Sequence, residues 1–406
     1  MGSLRRKFLQ LLGILLLSFS LAGCWDLREA EETGIVVGMG IDQKEDGTIV
    51  VIAQTVKPQT PGAGGGVTGR TNQGVDTFQN WYSTGETVYD AVLNLTLKSP
   101  NVFFWSHNQV FIISEKLAKK GLADVLDFIE RDPEFKQNAW ILIAKEGLPE
   151  ILESSNNAGQ PPSQVLSDII NIRNRNAKYA ISSLGDFLQQ LGSPNTQPYT
   201  AGVTFTKSLM KDPDSVFLPG QEPAPAKELT LSDTAVFNRD KLAGWFNPVE
   251  SRGLLWIQGK VRQGLLILNL QNQRVSVEIT KSSSKFKSEV REGHLIMKVE
   301  VKVQGNLTEM APGIELNEKQ VKKIESLMAK EVKEQINGAV TRAQELNTDV
   351  LGFAGAVHRD YPEAWNRELS KQWPETFKEL EVDVAVESHI NGVGLIINSV
   401  NPQKIK

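Results

Sequence analysis

The sequence predicts an α+β protein, with mixed and antiparallel sheets and helices packed on them, in two or three domains. Three observations carry this. Short β-rich runs recur in adjacent pairs joined by turn residues, as at 34–42 and 48–57 around Glu45-Asp46-Gly47. One long helical stripe, Val321, Ile324, Met328, Val332, Ile336 and Val340, follows a block of strand-like segments instead of alternating with them. Strands grouped in meanders with helices laid against them are the signature of that class. The chain has 406 residues, enough for two or three domains, and its 40% hydrophobic and 23% charged content suit real cores.

Taken in order, the chain opens with Arg5, Arg6 and Lys7, then an apolar run from Phe8 to Leu21 broken only by Gln10, Gly13, Ser18 and Ser20. A basic start, a short greasy core and small residues before a cut site make a secretory signal. The run falls short of the ~20 apolar residues a membrane span needs. Leu21-Ala22-Gly23-Cys24 at its end resembles the lipobox of bacterial lipoproteins. In that class the cysteine thiol takes a diacylglycerol, and the signal, here 1–23, is cut before it. Cys24 is also the only cysteine, so it has no disulfide partner within the chain. Cleavage would remove three cations and no anion, moving the net charge from −4 to −7. That balance gives no electrostatic reason to expect nucleic acid, and it makes attachment depend on the lipid and on protein partners.

Residues 24–207 read as an N-terminal α+β domain. After its first hairpin comes a Gly/Pro-rich loop at 58–74, then a helix over 85–98 with Thr84 as its cap and Val88, Ala91, Val92 and Leu95 on one face. A strand at 102–113 is interrupted by Ser106-His107-Asn108. Ser114 caps a helix whose core side is Leu117, Val125, Phe128 and Ile129, and a strand follows at 139–144. Residues 161–191 are helical with a break near 182–185, and 200–205 is a strand. The stretch 208–227 reads as a Pro-rich linker, with four prolines beyond Lys211. Residues 228–261 form a middle segment or small domain: a hairpin of 229–237 and 242–246, then a helix opened by Asn247-Pro248-Val249-Glu250. An Asn cap, Pro at the first helical place and Glu at the third make a complete helix start. Residues 262–402 form a C-terminal α+β domain, with strands at 264–270, 274–279, 285–290 and 295–303. The long helix opened by Asn317 and Gln320 then leads to closing strands at 382–390 and 394–397.

The motifs that would signal catalysis fail on context. Gly64-Gly65-Gly66-Val67-Thr68-Gly69-Arg70-Thr71 nearly fits a phosphate-binding loop. It lacks the required Lys and a strand running into it, and Pro58 and Pro61 intervene. Ser282-Ser283-Ser284-Lys285 fits S-x-x-K, but it sits between β segments and no K-T-G follows. His107, His294, His358 and His389 are scattered without metal-ligand spacing, and the eight tryptophans read as core or interface anchors. The expectation is therefore no catalytic residue, no metal, no cofactor and no enzyme.

The pieces as a set resemble one family, the Ger(x)C lipoproteins, the C subunits of nutrient germinant receptors in spore-forming bacteria. The likeness runs through Cys24-Trp25-Asp26, Gly38-x-Gly40-Ile41-Asp42, Ser106-His107-x-x-Val110 and Phe128-x-x-Arg131-Asp132. It continues through Ala235-Val236-Phe237, Gly244-Trp245, Glu250-x-Arg252-Gly253-Leu254-Leu255-Trp256, Asp349-Val350-Leu351-Gly352-Phe353 and Trp373. The resemblance implies three α+β domains and a non-enzymatic, lipid-held scaffold on the outer face of the spore inner membrane. Its partners would be a polytopic A-type and a permease-like B-type subunit. Cys24 is the one site residue it transfers. The alternative is a free-standing solute-binding lipoprotein feeding a transporter, which would show alternating βα units in both lobes.

Overall fold

The computed structural model describes residues 33–57, 77–154, 159–172, 177–207, 227–310 and 316–392. Cys24, the loop at 58–74, all but the last residue of the 208–227 linker and the strand expected at 394–397 lie outside the described residues.

Two mixed sheets organise the molecule. The first begins with the expected hairpin, β1 (Thr33–Gln43) against β2 (Ile49–Val56). β3 (Phe78–Gly85) extends it at the edge. The helix that follows is α1 (Val88–Leu95), and its cap is Thr87, whose hydroxyl accepts from the Asp90 N–H, in place of the expected Thr84. Thr84 is held in β3 opposite Val50. The strand escaped notice because Phe78-Gln79-Asn80-Trp81-Tyr82-Ser83-Thr84 has no clean alternation, and an edge strand need not bury a full face.

β4 (Val102–Phe104) pairs with the start of β1, a short turn over Trp105–His107 follows, and β5 (Val110–Ser114) pairs with the rest of β1. β1 is thus hydrogen-bonded along both edges, to β2 on one side and to β4 and β5 on the other. Ser114 does cap the next helix, accepting from the Leu117 N–H at 3.2 Å. That helix is two, α2 (Glu115–Lys120) and α3 (Ala123–Arg131), parted at Gly121, whose φ of 133° no helix tolerates. β6 (Trp140–Ala144), α4 (Leu148–Glu153), α5 (Pro162–Ile172), α6 (Leu184–Leu191) and β7 (Tyr199–Lys207) follow. β8 (Lys227–Asn238) and β9 (Lys241–Phe246) form the expected second hairpin. They complete the first sheet, in the order β3-β2-β1-β5-β6-β7-β8-β9. Its two faces bury separate cores, one around Met39, Ile41, Phe111 and Phe187, the other around Ile52, Ile112, Leu142 and Leu166.

α7 (Pro248–Ile257) starts with the full capping box: Asn247 accepts from Val249 and Glu250, and Glu250 accepts from the Asn247 N–H at 2.8 Å. The second sheet is β10 (Gly264–Leu270), β11 (Gln273–Arg291), β12 (His294–Met310) and β13 (Glu381–Gly392) in that order. β11 runs through the polar stretch 280–284 that separated two expected strands, with a bulge between Ile279 and Lys281. One face of that stretch meets solvent, so it shows no apolar alternation. α8 (Glu318–Glu345) lies on the sheet with Ile324, Met328, Val332, Ile336 and Val340 buried, as the stripe requires. Two further helices, α9 (Phe353–Asp360) and α10 (Ser370–Glu379), were not foreseen. The cap of α9 is remote: Asp349 accepts from the N–H groups of Gly352, Phe353 and Ala354.

The third core joins the halves, since Tyr199, Val236 and Phe246 of the first sheet pack in one cluster with Trp256, Val299, Ile336 and Phe353. The segment 228–261 accordingly gives two strands to the first sheet and a helix to this junction.

Candidate functional site

Two arrangements concentrate polar chemistry. The first is a cleft of about 570 Å³ at the carboxyl ends of β1, β5 and β6, lined by Asp42, Ser114, Glu115, Lys119, Lys145 and Glu146 among others. Carboxyl ends of parallel strands are where open α/β sheets take ligands. Here the groups satisfy one another. The Ser114 hydroxyl donates to Asp42. Lys145 Nζ donates to Asp233 at 2.6 Å and lies 4.6 Å from the Trp245 ring centre. Glu115 accepts from Trp245 Nε1 at 3.1 Å and pairs with Lys119 at 2.8 Å. Burial works to raise the Glu115 carboxyl, yet these two donors bring it below its usual range. Most of the charged groups at the cleft are thus paired within the protein, while Lys120 Nζ meets only the neutral oxygens of Gln43 and Lys44.

The second arrangement is the junction between the sheets, built largely by α7. Trp256 is fully buried and donates Nε1 to Gln335 Oε1 at 2.8 Å. Gly253 makes the approach of α7 and α8 possible: a Cβ there would stand 2.0 Å from the Gln335 carbonyl oxygen. Arg252, only 8% exposed, donates Nη1 to the Leu265 carbonyl at 2.8 Å, while Nε and Nη2 find no acceptor. Burial lowers its guanidinium below the ordinary arginine value, with Glu331 opposing. Tyr199 donates its hydroxyl to Gln258 and accepts from Lys260, both at 2.6 Å. The Gln197 N–H donates to the Asp349 carbonyl at 3.0 Å. Asp349 itself is buried, which pushes its carboxyl up to about 6 against the three backbone donors and Trp373 Nε1. This is a structural clasp: bonds from Tyr199 and Gln197 to Gln258, Lys260 and Asp349 tie the halves, while two nitrogens of Arg252 stay without an acceptor.

The residues weighed from sequence are not brought together. Cys24 and the glycine loop at 64–71 lie outside the described residues. Ser282 and Lys285 are three apart on β11, so they face opposite sides of the strand, and Ser282 donates to the Val261 carbonyl. The histidines sit on four different elements; His358 stacks on Trp365 and His389 pairs with Glu325. Among the described residues no group of three or more His, Cys, Asp or Glu is placed to hold a metal ion. No helix among them is long and apolar enough to cross a membrane. Of the tryptophans, Trp105, Trp256, Trp365 and Trp373 are buried in the cores, as their reading as anchors implies. Arg252 and Asp349 were missed as buried charges, since nothing in a charge's sequence neighbourhood reveals a partner on another element.

Comparison with known proteins places this architecture. Residues 26–205 match the family described as spore germination protein N-terminal domain, and residues 232–394 match spore germination B3/GerAC like, C-terminal. Spore germination protein KC of Bacillus subtilis (strain 168) is 26% identical, over 98% of each chain. Spore germination protein B3 of the same organism is 24% identical over 93% of this chain and 96% of that one. Spore germination protein A3, also from Bacillus subtilis (strain 168), is 22% identical over 95% and 98%. The crystal structure of the GerBC protein superposes with a TM-score of 0.53 at 18% identity, covering 87% of this chain and 97% of that chain.

Proposed function

Since the chain belongs to the Ger(x)C family of spore germination proteins, we propose that it is the lipid-anchored, non-enzymatic C subunit of a nutrient germinant receptor. In this reading Cys24 carries the lipid and the body sits on the outer face of the spore inner membrane. It acts there as a scaffold for a polytopic A-type and a permease-like B-type subunit. The observation that carries the reading is the end-to-end match, in domain order, to spore germination protein KC. Leu21-Ala22-Gly23-Cys24 at the end of an export signal supplies the anchor. The non-enzymatic role is supported by the family matched, whose members are named as spore germination proteins. A solute-binding lipoprotein would need inward-facing groups free to meet a ligand, whereas Lys145, Glu115 and Lys119 already pair with protein groups.

Substituting Cys24→Ala tests the anchor: the precursor should stay uncut and take up no acyl label, because the thiol is the only acceptor in the chain. Label persisting on the variant would refute the assignment. Partner capture from spore membranes should recover A- and B-type subunits with the full-length protein. Recovery of neither, with tight binding of an amino acid or sugar by the protein alone, would favour solute capture.

A further inference from the structure

β10 is the terminal strand of the second sheet, and the register of its hairpin decides which of its backbone groups are spent. The hairpin closes over two residues, Gln271 and Asn272, both with positive φ, so Leu270 and Gln273 share the first pair of ladder bonds. Antiparallel bonding then alternates, and Leu268, Leu266 and Gly264 also bond to β11. Leu265, Ile267 and Asn269 therefore turn their N–H and C=O groups outward. Among the described residues, Ile267 and Asn269 have no protein partner for those groups. Leu265 and Ile267, 45% and 59% exposed, also place neighbouring apolar side chains on the outer face of the strand. An open, apolar strand edge is a template for another strand, and natural sheets normally blunt it with charge, proline or a covering element.

One charge does sit at this edge. Arg252 of α7 donates Nη1 to the Leu265 carbonyl, the outward group at the start of β10. Its Nε and Nη2, which together form the side-on fork of a guanidinium, have no acceptor. That fork fits the two oxygens of a carboxylate. Glu331, the acid whose field Arg252 feels, accepts from Gln335 Nε2 and leaves the fork unpaired. A nearly buried guanidinium with an idle fork is costly unless something fills it. A second copy of β10 would not fill it, since Gly264–Leu270 contains no acid.

We propose that β10 takes up an extended peptide segment of a protein partner as a fifth strand of the second sheet, and that Arg252 holds a carboxylate of that segment. The arriving strand supplies an N–H to the Leu265 carbonyl, which releases Nη1, and the guanidinium turns its fork to the acid. Main-chain bonds at Ile267 and Asn269 give affinity. Apolar residues at alternate positions of the segment cover Leu265 and Ile267, and the acid sets the register. Arg252 thus keeps the edge closed until a matching strand arrives. The inference is independent of the anchor at Cys24.

The test selects randomised linear peptides, displayed on phage, against the full-length protein in detergent. Selected peptides should share an acid at one fixed position and apolar residues at alternating ones. A selected peptide, made synthetically, should slow hydrogen exchange at the Ile267 and Asn269 amides. Replacing its acid by the amide, or Arg252→Lys in the protein, should weaken binding about tenfold or more, because lysine keeps the charge and lacks the fork. Ile267→Pro should abolish binding, since it removes an outward N–H and leaves the ladder to β11 whole. That exposed position decides the matter if Arg252→Lys fails to fold. Failure to select such peptides, unslowed exchange at Ile267 and Asn269, or binding that survives Ile267→Pro would each overturn the proposal. So would a full-length protein that is dimeric until Ile267→Pro makes it a monomer, because the edge would then belong to a second copy.

Discussion

Two buried residues show how much of this molecule's stability rests on single side chains. Trp256 has no exposed surface and its indole N–H is spent on Gln335. Trp256→Ala should cost ~3–5 kcal/mol in chemical denaturation, as large-to-small changes do in packed cores. Unchanged unfolding would mean the side chain packs loosely. Asp349 tests burial against hydrogen bonding. Its folded carboxyl sits at about 6, above the ordinary 3.8. As the pH rises from about 4 to 6, the unfolded chain loses this proton first. Asp349 therefore contributes stability that is full below about pH 4 and is lost as the pH rises through 6, on the order of 3 kcal/mol. Asp349→Asn should remove that part of the slope. It should also be less stable at pH 7, because an amide turns a donor toward the N–H groups Asp349 now accepts. Denaturation at a series of pH values checks both, and an unaltered slope would show that the carboxyl is not held high.

Among the elements, α7 was the most legible, because Asn247, Pro248 and Glu250 each state a local backbone need that tertiary packing did not override. The α8 stripe was readable for the same reason, its period matching the face it buries. β3, α9 and α10 were not. β3 mixes aromatic and polar residues without alternation and lies at an edge, and the cap of α9 is an aspartate three residues ahead of the Gly352 that occupies the cap position. The cleft was invisible beforehand because it is assembled from the ends of three strands far apart in the chain. Nor does any spacing rule reveal that Gly253 is where two helices touch. That contact makes a prediction opposite to helix propensity. On an exposed helix Gly→Ala stabilises by roughly 0.5–1 kcal/mol. In α7 the added methyl would meet the Gln335 carbonyl at 2.0 Å and Ala339 Cβ at 2.6 Å, forcing α7 off α8. Gly253→Ala should therefore destabilise by ~1–3 kcal/mol, measured as a lowered denaturation midpoint, and a raised midpoint would disprove the close approach.

At the scale of the whole molecule, the two halves are interleaved. The stretch matched as the C-terminal family segment supplies β9 and most of β8 to the first sheet before it builds the second. One core then takes residues from both. The described body should accordingly unfold in a single calorimetric transition with matching calorimetric and van't Hoff enthalpies, and two resolved transitions would show that the clasp is weak. The placement of β1 has a mechanical consequence as well. Were Cys24 the anchor, as proposed above, its load would reach Thr33, the first residue of a strand held along both edges by β2, β4 and β5. Tension along that strand is resisted by its whole ladder of hydrogen bonds in shear, all loaded at once. A terminal edge strand under the same tension would peel open one rung at a time. A pull on that end of the chain would thus be spread through the sheet instead of unravelling it from the end.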